Sequence, residues 1–148
     1  MVSAIYNKYA KSDYEIKKEF EAGLVLVSDE IKAVRDNRVN LKGSYGKIFY
    51  SQSGRPELFL VGAHFHSHNV DPYRTRKLLV KKSELSSLIG QTAEKGLTII
   101  PLSIYIKRGL AKINVALARG RQLHDKREVI KKRDQQREAR QQLKTSLK

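Results

Sequence analysis

The chain changes character near residue 120, and this change confines any folded core to the residues before it. Residues 121–148 carry ten Lys or Arg against four Asp or Glu, a net charge of +6. Only six of these 28 residues are apolar, about half the apolar share of the whole chain, which is 40%. Such a segment cannot bury enough surface to offset the entropy of its own ordering. We therefore predict a basic C-terminal tail, residues 121–148, that is disordered or becomes helical on binding a polyanion.

The residues before the tail are basic as well. They hold 20 Lys or Arg and 11 Asp or Glu over 120 positions, and so contribute +9 of the total charge of +15. Nucleic acid is the leading candidate partner, because neutralising phosphates releases counterions. An anionic membrane surface is the alternative, but no helix here pairs a basic face with a broad apolar one. We therefore expect both parts of the chain to contact nucleic acid, with no membrane partner.

The location of the protein is indicated by its cysteine content and its N-terminus. The chain has no cysteine, which excludes disulfides and thiolate metal sites and suits a reducing compartment. The N-terminus lacks the apolar run of a signal peptide, and the longest apolar stretches are too short to span a bilayer. These features predict a cytoplasmic protein.

Short segments of alternating apolar residues dominate the first 120 positions and predict strands. The even positions from Tyr14 to Leu26 are apolar, with Lys18 the exception. Two β-hairpins are expected further along the chain, at residues 44–64 and 98–119, because a Gly-containing turn separates the halves of each. Strand patterns therefore outnumber helical ones.

Two short helices are expected between the strands. Ser28 is a candidate N-cap with acidic residues in the turn that follows, so that a helix would run to about Asp36. A second helix should follow Ser83 and stop at Gly96. Short strands with helices at their ends suggest a fold that is mainly β with short α-helices, an OB-fold-like closed β-barrel. The predicted domains are an N-terminal arm (1–12), the barrel (13–120) and the tail (121–148).

A histidine cluster, His64, His66 and His68, is the most obvious candidate for a metal site. In an extended strand the outer two α-carbons would lie roughly 13 Å apart. A tetrahedral zinc ion needs every ligand nitrogen at about 2 Å. We therefore interpret the cluster as surface histidines. No nucleophile elbow, phosphate loop or zinc-protease motif occurs either, so we predict no enzyme activity, no metal and no cofactor.

Basic residues form three separate groups, and together they favour a nucleic-acid surface. A single charge run is usually just solvated, but three groups in one basic chain are harder to explain in that way. The first two groups are Arg74, Arg76, Lys77, Lys81 and Lys82, and then Lys107, Arg108 and Lys112; the tail is the third. Tyr45, Tyr50, Tyr73 and Tyr105 could stack on RNA bases, or could pack in the core with their hydroxyls at the rim.

Several distinctive sequence blocks occur in order between about residue 7 and residue 133. The block with Asp71-Pro72 and residues 74–79, RTRKLL, is the most distinctive. The other blocks are residues 20–24, 30–35, 40–45, 95–98, 101–107, 117–120 and 125–128. Together they resemble the small protein B family, which binds transfer-messenger RNA (tmRNA) in bacterial trans-translation. The segment between Ala63 and Asp71 is shorter than the family's usual loop and contains the histidine cluster.

The resemblance implies an OB-type barrel that binds the tRNA-like domain of tmRNA as a monomer, in a one-to-one complex. It also implies that the tail enters the mRNA path of a stalled ribosome and meets ribosomal RNA near the decoding centre. By this resemblance, positions on or supporting the tmRNA face are Glu30, Lys32, Arg35, Asn40 and Lys42. To these we add Arg74, Arg76, Lys77, Lys107 and Lys112 from the basic groups. The expected ribosome-binding tail residues are His124, Asp125, Lys126, Arg127, Lys131, Lys132 and Arg133.

The basic surfaces alone would equally allow a less specific function. A general RNA-binding protein or RNA chaperone of OB type needs the same cations and the same aromatic rings. Preference for tmRNA over bulk tRNA would separate the two hypotheses.

Overall fold

The computed structural model describes residues 4–94, 96–121 and 131–137. The fold is mainly β, as predicted, with short helices between the strands. The strands are β1 (Ile5–Tyr6), β2 (Tyr14–Leu24), β3 (Val39–Asn40), β4 (Tyr45–Tyr50), β5 (Pro56–Val61), β6 (His64–Phe65), β7 (Arg76–Leu79), β8 (Leu97–Lys107) and β9 (Leu110–Gly120). The helices are α1 (Ala10–Asp13), α2 (Ser28–Arg35) and α3 (Lys82–Thr92), and residues 131–137 are also helical.

Seven of the strands form one antiparallel sheet in the order β1-β8-β4-β5-β7-β2-β9, and β9 pairs in turn with β8. The pairings therefore run from β8 through β4, β5, β7, β2 and β9 back to β8. Strands β3 and β6 form a separate two-stranded ribbon, in which Val39 lies opposite Phe65 and Asn40 opposite His64. This ribbon brings two segments that the sequence keeps 24 residues apart into direct register.

The regular alternation in β2 conceals a change of face. The register with β9 shifts between Ile16, which lies opposite Ala118, and Lys18, which lies opposite Leu117. An extra residue in one strand reverses which face its even positions occupy. Residues before the shift therefore pack on one side of the sheet, and Phe20 on the other. The shift also falls at Lys18, the exception in the apolar pattern.

Two apolar clusters lie on opposite sides of β9. The main core contains Ile113, Val115 and Leu117, the residues that the alternation of this strand assigns to one face. Ala116 points the other way but is also fully buried, in a second cluster with Ala10 of α1. Both faces are buried at this end because the N-terminal segment folds back onto the sheet.

Residues 4–13, most of which lie in the predicted N-terminal arm, contact the body through β1 and α1. Ile5 pairs with Ile104 of β8 and is 7% exposed. The side-chain amide of Asn7 donates to the carbonyl of Pro101 at 3.0 Å. These contacts hold Tyr6 and Tyr9 beside the β3–β6 ribbon. Within the described ranges, no helix has both the length and the apolar character needed to cross a membrane.

Candidate nucleic-acid interface

A buried charge cluster joins helix α2 to the segment before β7. The Glu30 carboxylate accepts hydrogen bonds from Arg76 Nε at 2.6 Å, from Arg74 Nε at 3.2 Å and from the Val27 N–H at 3.0 Å. Glu30 and Arg76 are both fully buried, whereas the Arg74 side chain is 36% exposed. Arg76 also stacks over the ring of Phe65, with 4.0 Å between the guanidinium carbon and the ring centroid. One carboxylate thus accepts hydrogen bonds from two guanidinium groups.

The pKa shifts in this cluster follow from burial and hydrogen bonding. Burial alone would raise the pKa of Glu30, but hydrogen bonds from Arg74, Val27 and Arg76 outweigh it and lower the pKa. Burial lowers the pKa of Arg76, and Glu30 partly offsets that effect. The hydrogen bond to Glu30 raises the pKa of the more exposed Arg74. Glu30 therefore stays ionised and compensates both arginines.

The burial of this cluster excludes direct RNA contact for two of the predicted positions, and for Glu30 it leaves the supporting role that the resemblance allowed. Glu30 and Arg76 have no exposed surface, so neither can touch RNA in this conformation. Arg76 instead donates to the carbonyl oxygens of Ala63 at 2.9 Å and Pro72 at 3.0 Å. It thereby closes the segment between those residues into a fixed loop. The sequence could not distinguish this buried arginine from its exposed neighbours, because all of them lie in one basic run.

The other residues of the resemblance are exposed. Lys32 and Arg35 lie on α2, and Asn40 and Lys42 lie in and just after β3. An open cleft of about 420 Å³ separates the N-terminal segment from β3 and is lined in part by Asn40 and Lys42. The structure therefore places Asn40 and Lys42, two of the positions given by the resemblance, at one cleft.

This cleft also contains residues that sequence reasoning missed. Tyr6 and Tyr9 line it, and their side chains are 69% and 50% exposed. The Lys42 ammonium lies 5.6 Å from the centroid of the Tyr9 ring, at cation–π range. A signal was present in the sequence, because two tyrosines in an otherwise polar segment have few apolar neighbours to pack against.

A second, shallower cleft of about 320 Å³ lies beside β3, and Arg38, His64 and His66 are among its lining residues. The two clefts share Val39 and Asn40, so they adjoin along the strand. We call the combined area the β3 surface and define it by Tyr6, Tyr9, Arg38, Asn40, Lys42, His64 and His66. It combines cations, amides and aromatic rings, the side chains that bind unpaired RNA nucleotides.

The remaining predicted cations do not line these clefts. Lys77 is half-buried on β7, with its ammonium 3.4 Å from the Glu57 carboxylate. Lys107 is exposed at the end of the β8–β9 hairpin, and Lys112 lies opposite Tyr105 in the same hairpin. The structure thus spreads the predicted cations over several elements.

The tyrosines named as stacking candidates differ in their surroundings. Tyr50 and Tyr73 are 62% and 60% exposed, and Tyr45 is 39% exposed. The Tyr105 hydroxyl donates to the Glu21 carboxylate. Burial, followed by this hydrogen bond, raises the pKa of Tyr105 to about 12. The Tyr105 hydroxyl therefore already has a hydrogen-bond partner, while the other three tyrosines have exposed ring surface.

The tail is described only in part. Residues 131–137 are helical and all exposed, and they include the predicted Lys131, Lys132 and Arg133. The predictions for His124, Asp125, Lys126 and Arg127 lie outside the described residues. Within the described ranges, no group of three His, Asp or Glu side chains is arranged to hold a metal ion.

Comparisons with known proteins give a consistent result. The family model for SmpB protein matches residues 4–145. An SsrA-binding protein from Acaryochloris marina is 45% identical, over 89% of this chain and 87% of its own. One from Geobacillus kaustophilus is 46% identical, over 89% and 86%. A solved structure described as "tmRNA-SmpB: a journey to the center of the bacterial ribosome" contains a chain that is 38% identical. It matches with a TM-score of 0.67 over 86% of this chain and 94% of that one.

Proposed function

Because the chain belongs to the SmpB protein family, we propose that it is a tmRNA-binding adaptor in the rescue of stalled ribosomes by trans-translation. The matched relatives are SsrA-binding proteins, and the matched structure concerns tmRNA-SmpB and the bacterial ribosome. Its partners are tmRNA and the ribosome, and we place it in the cytoplasm with them. It acts by binding RNA, without catalysis and without a cofactor.

The observation that carries this proposal at the level of the site is the β3 surface. An exposed cation above an exposed ring, as in Lys42 and Tyr9, can neutralise a phosphate while the ring stacks on a nucleobase. Asn40 adds hydrogen-bonding groups between the two clefts. We propose that the ring of strands is an OB-type barrel, spanning residues 13–120, that presents this surface to the tRNA-like domain.

Within this proposal the buried cluster positions the surface. Glu30 belongs to α2, which also carries the exposed Lys32 and Arg35, while Arg76 holds the loop that follows Ala63. Their ion pair at 2.6 Å fixes the helix relative to the loop. Groups held in advance lose less entropy when they bind. Glu30 and Arg76 would therefore support RNA binding without touching RNA.

The tail supplies the second contact in this proposal. Helical residues 131–137 expose Lys131, Lys132 and Arg133, as expected of a segment that meets phosphates on several sides. We propose that residues 121–148 enter the mRNA path, with His124 to Arg127 approaching ribosomal RNA at the decoding centre. The adaptor would work as a monomer, bound one-to-one to tmRNA.

A gel-shift assay with the tRNA-like domain, against excess bulk tRNA, tests the tmRNA assignment. We expect the complex to survive the competitor. Equal competition by bulk tRNA would contradict specific binding and favour the general RNA-binding alternative, which the exposed cations equally permit.

A pair of matched variants tests the surface. Tyr9→Ala with Lys42→Ala removes the aromatic–cation pair of the β3 surface, and we expect affinity to fall about tenfold or more. The control is Lys47→Ala with Phe49→Ala, since Lys47 lies 5.1 Å from the centroid of the Phe49 ring on β4. If both double variants lost affinity equally, the assignment of the surface would be wrong.

Truncation before Asp125 tests the separate role of the tail. We expect the shortened protein to bind the tRNA-like domain within about twofold of the full chain, because the β3 surface is intact. In a reconstituted translation system it should fail to tag peptides on stalled ribosomes. Tagging at the normal level would contradict the proposed role of the tail.

A further inference from the structure

Four aromatic rings lie next to one another in and beside the loop that follows Ala63. The ring centroids of Tyr73 and His64 are 5.0 Å apart, those of His64 and His66 are 6.5 Å apart, and those of His66 and His68 are 5.4 Å apart. We call these four residues the histidine ladder. His66, His68 and Tyr73 are exposed, so three of the four rings have surface available to a ligand.

The backbone of this loop is held in place at several points. The His66 N–H donates to the Arg38 carbonyl at 3.0 Å, and the Phe65 N–H donates to the Pro72 carbonyl at 2.9 Å. The side-chain amide of Asn69 also donates to the Asp29 carboxylate of α2, at 2.7 Å. The backbone that carries the rings is therefore held in place without a ligand, which lowers the entropy cost of binding.

The arrangement of the rings suits an unpaired nucleobase. The planes of His66 and His68 meet at 81°, so that one ring face lies beside one ring edge. A base can stack on one of these rings while its edge meets the face of the other, because two nearly perpendicular rings form a corner. Arg38 and Asn40 line the same shallow cleft as His64 and His66 and can reach the adjoining phosphate and sugar.

We propose that the histidine ladder binds an unpaired nucleotide of the RNA held on the β3 surface, with the base stacked on one of the imidazole rings of His66 and His68 and its edge against the other. This inference rests on the proposed function, since it extends the RNA surface across β3. It assigns an RNA contact to a cluster whose sequence first suggests a metal site. The ligand is an RNA loop or bulge, since bases within a duplex have no free face.

The test compares two double variants of the full chain by fluorescence anisotropy, with labelled tRNA-like domain and with labelled bulk tRNA as probes. His66→Ala with His68→Ala should weaken binding of the tRNA-like domain about tenfold. His66→Phe with His68→Phe retains two ring faces and should bind within about twofold of the unchanged protein. Phe49→Ala, which removes a different exposed ring, on β4, is the control and should leave the affinity unchanged. Circular dichroism checks that each variant is folded.

Each outcome decides between the alternatives. If the Ala variant bound RNA with unchanged affinity, the proposed RNA contact of the histidine ladder would be contradicted. Equal losses of affinity in the Ala and Phe variants would contradict it as well. Neither result would affect the tmRNA assignment. Stoichiometric zinc in the purified protein, with RNA affinity unaffected by either variant, would also overturn the proposed contact. An unchanged protein that binds bulk tRNA as tightly as the tRNA-like domain would contradict the proposed function instead. The Ala and Phe comparison on the bulk probe would then still decide whether the ladder stacks on RNA.

Discussion

Arg76 and Lys42 carry the same formal charge and lie in opposite surroundings. Arg76 is fully buried, 2.6 Å from the Glu30 carboxylate, and donates to two backbone carbonyls. Lys42 is exposed at the mouth of a cleft, above the ring of Tyr9. A buried charge must be fully compensated inside the protein, whereas an exposed one stays available to a phosphate. The same type of side chain therefore stabilises the fold at one position and forms the RNA surface at the other.

Replacing Arg76 should have the largest effect on stability. Arg76→Met leaves the buried Glu30 with a single arginine and removes the side-chain donor of the Ala63 carbonyl, so we expect the free energy of unfolding to fall by about 3–5 kcal/mol. Urea denaturation followed by circular dichroism measures the loss. Lys77→Met is the matched control, because Lys77 is partly exposed with one long ion pair, and it should cost at most about 1 kcal/mol. Similar losses of stability at both positions would contradict the distinction between a buried and an exposed cation.

Glu30→Gln should cost about 2–3 kcal/mol at pH 7, because hydrogen bonds to charged groups are lost from a buried site. The pKa of Glu30 is lowered in the folded protein, so the stability that its carboxylate contributes is present above the unfolded value of about 4.5. That contribution is lost as the pH falls through the folded pKa. The difference between the two proteins should therefore shrink in acid. A difference that was constant between pH 7 and pH 3 would argue against an ionised Glu30.

Replacing an exposed cation should change RNA binding and leave the stability of the fold almost unchanged. Lys32→Gln should change the free energy of unfolding by less than about 0.5 kcal/mol. It should lower the dependence of RNA affinity on salt by about one counterion, because one phosphate contact is lost. Binding measured from low to moderate salt gives the slope, with Lys47→Gln on β4 as the control. An unchanged slope would remove Lys32 from the interface.

Tyr105 is expected to be intermediate between the two cases in its effect on stability. Tyr105→Phe removes the hydrogen bond to Glu21 and should cost less than about 1 kcal/mol. Since the pKa of Tyr105 is raised to about 12 in the folded protein, its contribution is present below the unfolded value of about 10 and is lost as the pH rises through 12. Absorbance near 295 nm should show one late-titrating tyrosine that is absent from the variant.

The pattern of apolar residues was sufficient to predict the longer strands but not always their faces. The alternation in β9 places Ile113, Val115 and Leu117 on one face, and the structure buries all three in the core. The same pattern in β2 did not reveal the register shift after Ile16, because a strand with an extra residue keeps its alternation while its even positions change sides. Short strands such as β3 and β6 were missed, since two residues are too few to show a period.

The residues of the candidate site, too, could be predicted only in part from the sequence. The resemblance supplied Asn40 and Lys42, which the structure brings together at one cleft, and it could not supply Tyr6 or Tyr9. Those two join the surface only because β1 pairs with β8 and places the N-terminal segment beside β3. Contacts of this kind join residues far apart in the chain, and no local pattern encodes them.

The sequence by itself determined the mainly β fold with short helices, the basic character of the whole chain and its family. Each of these depends on local periodicity, on total charge or on ordered motifs, which can be read without knowing which residues meet. Only the tertiary structure decided that Arg76 is buried, that Tyr9 faces Lys42 and that the histidines form a ladder beside Arg38. Burial and pairing depend on contacts between distant segments, so a basic run looks the same in sequence whether its side chains hold the core together or face RNA.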